Sequence, residues 1–174
     1  MKSIQMFLCF SFLFSLMSCS PVSVRTDYDR EVNFTKYKTF KWMPNPKKRD
    51  RKSVPKGSLL DRRIRRAVER ELEAHGFVVK ESGKTDAVLA YHIGVQHKVD
   101  VNTTGYGYGR WGYRGRSVHV HRYKEGTIVL DIVDPEMKQL IWRGAAVGVI
   151  KRMDASEEKI NEAIQKVLEK YPPE

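Results

Sequence analysis

Four residues imply a definite reaction: Leu16-Met17-Ser18-Cys19. They follow a short basic start at Lys2 and an apolar run over residues 4–16, which has the length of a signal-peptide core. Leucine, a tolerated residue, a small residue and then cysteine make up a bacterial lipobox. The chemistry sets this spacing. The thiol is joined to a diacylglycerol, the peptidase cuts after a small residue, and the cysteine becomes the new N-terminus. Cys19 is therefore the expected lipidation site, with residues 1–18 as leader, 19–22 as tether and 23–174 as a single domain. Three acyl chains on one cysteine anchor stably, because two membrane signals already suffice. Ser20, where an Asp would favour the inner membrane, directs the expectation to the periplasmic face of the outer membrane.

The other cysteine, Cys9, lies inside the leader. The mature chain then has no free thiol. Disulfides, thiol catalysis and cysteine metal sites are excluded, and no cofactor is expected. The domain must rely on its own core, which a chain of this length can build.

A second chemistry-bearing feature is charge. The 174 residues hold 32 Lys or Arg against 21 Asp or Glu, a net +11. Residues 47–70 contain eleven of the basic residues and three acids, a local +8. Lys47, Lys48 and Arg49 fall in a Pro-bounded loop over 45–57, and Arg62, Arg65, Arg66 and Arg70 fall on a helix. Together they form a candidate anion-binding surface. Export argues against nucleic acid. It leaves anionic lipid, lipopolysaccharide phosphates, a cell-wall polymer or an envelope protein. The same residues also fit a solvated helix face beside a charged loop.

A third feature is residues 103–116, where Tyr106, Tyr108, Trp111 and Tyr113 are interleaved with glycines. Exposed rings stack on sugars or anchor a protein partner. A hairpin tip of no further purpose has the same composition. His119 and His121 share one strand face, whereas His92 and His97 do not. Two imidazoles fall short of the four ligands of a closed zinc site, so no metal is expected. There is no nucleophile elbow and no His-Glu-x-x-His helix. Asp131 and Asp134 have odd spacing, which places them on opposite faces of a strand rather than in a working pair.

The elements that position these groups follow from periodicity. Alternation predicts strands at 22–27, 37–42, 77–80, 86–101, 117–123, 127–134 and 139–149. Ser58 and Asp61 suggest a capped helix with Leu60, Ile64, Ala67, Val68 and Leu72 on one stripe and Gly76 at its end. A second helix is expected over about 155–170, capped at Asp154 through Glu157, with Ile160, Ala163, Ile164, Val167, Leu168 and Tyr171 as its stripe. Gly144, Ala146 and Gly148 lie on one side of their strand and suggest a close neighbour there. The expected fold is α+β: a single domain with a mainly antiparallel sheet and two amphipathic helices packed on one face.

Asp27-Tyr28-Asp29, the run Phe34 to Trp42, the helix around 64–76, Tyr91-His92-Ile93-Gly94, the Gly/Tyr run from Gly105, Glu125-Gly126-Thr127 and Leu140-Ile141-Trp142-Arg143-Gly144 carry a family resemblance. The chain resembles the bacterial lipoprotein family called domain of unknown function 4136, over roughly residues 24–173. The resemblance implies an envelope lipoprotein with an α+β fold and no assigned reaction. The functional expectation is a lipid-anchored binding or assembly module, not an enzyme. The rival expectation is a periplasmic enzyme acting on wall or glycan through His119, His121 or nearby carboxylates.

Overall fold

Ser58 accepts the Asp61 N–H at 3.2 Å and starts α1, Leu59–Ala74. The Asp61 carboxylate reaches back one residue further than a capping box requires, to the Gly57 N–H at 2.7 Å. At the other end, Phe77 N–H bonds Leu72 O and Gly76 N–H bonds Glu73 O, while Gly76 has φ +82°. This is a Schellman ending, and it needs glycine at that position. The computed structural model describes residues 22–44, 55, 57–106, 115–150 and 156–173, with the backbone only at 101–106, 115–119, 121 and 150. The leader, Cys19, Lys47, Lys48, Arg49, Tyr108, Trp111 and Tyr113 lie outside the described residues.

The strands are β1 Ser23–Tyr28, β2 Thr39–Trp42, β3 Val78–Val79, β4 Ala87–Tyr106, β5 Gly115–Asp134 and β6 Gln139–Ile150. They form one sheet in the order β1-β6-β5-β4-β2-β3. The pairs β1–β6, β6–β5 and β5–β4 are antiparallel. The exception to the antiparallel expectation is β2, which runs parallel to both β3 and β4. The reason is connectivity: α1 carries the chain from β2 back to the start of β3, and a helical crossover yields parallel neighbours.

Two further differences have local causes. Residues 117–123 and 127–134, read as separate strands, are one strand. Lys124, Glu125 and Gly126 pair with β4 on one side and β6 on the other, so the chain is held straight where a turn was expected. β4 and β5 also run on to Tyr106 and from Gly115, into both ends of the segment read as a loop over 103–116. The last helix, α2, spans Glu157–Leu168 and is capped by Ser156, not Asp154.

Both helices cover the same face of the sheet. Ile64, Ala67, Val68 and Leu72 of α1 and Ile160, Ala163, Ile164, Val167 and Leu168 of α2 are buried against Leu89, Leu130, Ile132, Trp142 and Ala146. A Cβ on Gly144 would stand 2.5 Å from Val167 Cγ1 and closer still to the Trp142 ring. Gly144 is thus where α2 presses onto the sheet, whereas Gly148 faces Val22. Tyr171, just past α2, wedges its ring among Phe34, Phe40, Phe77 and Trp142 at centroid distances of 5.3–6.0 Å.

Candidate functional site

Strand direction decides what lies together. β1 begins at Ser23 opposite Val147, near the end of β6. β2 ends at Trp42 opposite Leu89, with Met43 N–H bonded to Leu89 O at 2.8 Å. β4 and β5 continue past both points as a two-stranded arm. The segment leading back to Cys19, the two ends of the basic loop and the arm therefore all leave the same end of the sheet. α1 starts at this end too, because Tyr91 of β4 donates its hydroxyl to Asp61 at 2.6 Å.

The basic residues of α1 divide by what they touch. Arg65 is turned inward. Its Nε donates to Asp61 at 2.9 Å, and its guanidinium stacks on Trp42 at 4.5 Å, while the Trp42 indole donates to Glu69 at 2.7 Å. Burial pushes the Asp61 carboxyl up, but the Tyr91 hydroxyl, the Gly57 N–H and Arg65 outweigh it and hold it below the usual carboxylate range. Arg65 thus belongs to an internal network that clamps α1 to the sheet. Arg62, Arg66 and Arg70 are exposed and recur every four residues, about 6 Å apart along one helix face. Arg62 bonds the Gly57 carbonyl at 2.7 Å. Among the described residues, Arg66 and Arg70 make no ion pair.

The arm carries exposed valines where it leaves the helices. Beyond Ile93 no described helix covers this face, and Val95, Val99 and Val120 are 55%, 59% and 52% exposed, with His97, Arg122 and Lys124 among them. Tyr106 is the last residue of β4, so the aromatic run begins at the far end of the arm. His119 and His121 lie in β5 opposite Asn102 and Asp100, with only their backbone described.

The sheet face opposite the helices holds a cluster that spacing alone did not reveal. Arg143 of β6 grips Asp131 of β5 with two hydrogen bonds, Nε at 2.6 Å and Nη2 at 2.8 Å, and His92 Nε2 lies 3.3 Å from the same carboxylate. The signal was the register, since Asp131 pairs with Ala90 on one side and Arg143 on the other. Asp134 is engaged elsewhere, accepting the Tyr37 hydroxyl at 2.7 Å and the N–H groups of Glu136 and Met137. No Ser or Thr hydroxyl bonds His92 or Asp131 among the described residues, so the cluster has the form of an ion-pair group and not of a nucleophilic triad.

The family model described as domain of unknown function 4136 matches residues 24–173. The chain belongs to that family. No curated protein matches it. Among solved structures, a PDZ domain protein from Parabacteroides distasonis superposes with a TM-score of 0.61 at 14% identity; the match covers 98% of this chain and 40% of that one. The chain thus spans under half the length of that protein. A PelC dodecamer from Paraburkholderia phytofirmans superposes with a TM-score of 0.50 at 12% identity over 85% of this chain and 95% of that one. At these identities the likeness is one of fold. Among the described residues, no helix is long and apolar enough to cross a membrane.

Proposed function

We propose that this chain is a lipid-anchored cell-envelope protein, tethered through Cys19 at the periplasmic face of the outer membrane, that binds or assembles envelope components and catalyses no reaction. One observation carries the reading. The chain leading back from Val22 towards Cys19, the first turn of α1 where the arginine row begins, and the arm share one end of the sheet. Val22 is three residue steps from Cys19, a reach of about 10 Å, so an anchor there would hold this end against the bilayer. Arg62, Arg66 and Arg70 would then face anionic headgroups or phosphates, each contributing about 1 kcal/mol. That PelC, of similar fold, forms a dodecamer supports the assembly part of the reading.

Two measurements test it. Labelled palmitate should enter the wild-type chain in cells and not Cys19→Ala; uptake that persists in the variant overturns the anchor. Replacing Arg62, Arg66 and Arg70 together by Glu should cut salt-sensitive binding to vesicles containing anionic lipid. Unchanged partition would show that the arginine row is merely solvated.

A further inference from the structure

The arm exposes more than valines. β2 covers the outer edge of β4 only at Ala87, Val88 and Leu89. From Ala90 to Tyr106, β4 has a strand neighbour on its β5 side and none on the other among the described residues. Every second residue along that edge directs its N–H and C=O outward. Such an edge, long and without a neighbour, is a template for another strand.

We propose that a second copy of this chain occupies this edge, through antiparallel pairing of β4 with β4 about a two-fold axis at Val99. The side-chain order supports that partner and that register. With Val99 opposite Val99 of the second copy, Lys98 stands opposite Asp100 of the second copy, and the reverse contact repeats it. Antiparallel partners directly opposite each other share a face, so both cross-copy pairs are attractive. His97 stands opposite Val101 and Gln96 opposite Asn102. No like charges meet. Lys98 already lies 3.6 Å from Glu125 of its own chain and keeps a half-exposed ammonium that can serve a second carboxylate. The other edge of the arm, β5 from Gly115 to Tyr123, has no strand neighbour on its β6 side among the described residues and does not complement itself. Its sequence carries Arg116 and Arg122 and no acid, so a two-fold axis at His119 would set arginine opposite arginine. Pairing at β4 also sets Val99 of each copy against the other, and burial of these half-exposed side chains favours the contact. A two-fold contact of this kind closes on itself and leaves β1 and β3 free.

The proposal gives the assembly part of the reading above a partner and a geometry. Anchoring through Cys19 is measured separately by palmitate labelling. The test uses the full chain, processed in cells and purified in detergent, with its mass measured by light scattering. The wild type should have twice the protein mass of one chain. Lys98→Asp alone and Asp100→Lys alone each set like charges together twice and should weaken association at least tenfold. The combined swap restores two attractive pairs and should restore the dimer. Val99→Cys should cross-link to itself on oxidation, since no other thiol remains in the processed chain, and Val149→Cys on β6 should not. A wild-type monomer, a swap that fails to rescue, or equal cross-linking at both positions overturns the pairing. Capture of a different protein at Val99→Cys, without self-linked dimer, overturns the choice of partner and keeps the assembly reading.

Discussion

The Tyr91 hydroxyl donates to Asp61 at 2.6 Å and so ties the first turn of α1 to β4, four residues before the first exposed valine of the arm. The same carboxylate takes the Gly57 N–H at 2.7 Å and Arg65 at 2.9 Å. One buried acid thereby sets where the arginine row begins relative to the arm.

That acid makes the fold sensitive to low pH. The Asp61 carboxyl is held below its ordinary value of 3.8, and Asp86 and Asp134 are lowered in the same direction. A depressed folded value means that the stabilisation is present in full above the unfolded value and is lost as pH falls through the folded one. Stability from these groups should therefore hold from neutral pH down to about pH 4 and decline below it. Asp61→Asn should lower stability at pH 7 by about 1–3 kcal/mol and reduce the loss between pH 4 and pH 2. Urea unfolding at both ends of that range measures it. An unchanged acid-side loss would assign the sensitivity to other carboxylates.

Gly144 is the contact point between sheet and α2. Gly144→Ala should cost about 1–3 kcal/mol, because Val167 and the Trp142 ring occupy the space a methyl group needs. Adding Val167→Ala should recover part of that loss and show the coupling directly. Thermal unfolding of the two variants and the wild type decides it; additive losses would mean that the clash is relieved elsewhere.

Tyr171 is a core residue with a stranded polar atom. Its hydroxyl and the Trp142 indole N–H are buried and lack a hydrogen-bond partner among the described residues. Tyr171→Phe keeps the four ring contacts and removes the unsatisfied group, so it should raise stability by about 1 kcal/mol. A clear loss in denaturant unfolding would reveal that the hydroxyl has a partner.

Much of this architecture was legible in the chain. Ser58, Gly76 and the Ile64–Leu72 spacing mark a helix whose ends and buried stripe match α1, because caps and stripes depend on residues within one or two turns. The small residues Gly144 and Ala146 announced a close neighbour for the same local reason: no side chain stands in its way. Three things were not legible. The parallel placement of β2 depends on how a helix returns the chain. The continuity of β5 through Lys124 to Gly126 depends on neighbours from two other strands. The inward turn of Arg65 depends on Asp61, Trp42 and Tyr91 meeting from three elements.

The sequence by itself determined the family, the α+β class and the concentration of positive charge in residues 47–70, and it carries the Leu16-Met17-Ser18-Cys19 pattern on which the proposed anchor rests. These are properties of residue type and short spacing, so one dimension suffices to read them. Tertiary structure decided which charges are spent inside and which face outward, that Asp131 meets Arg143 and His92, and that the start of β1, the start of α1 and the arm lie at one end. It also decided that β2 pairs with β4 only from Ala87 to Leu89, so that from Ala90 onward the β4 edge has no strand neighbour among the described residues. Strand order and register set those outcomes, and both arise from contacts between residues far apart in the chain.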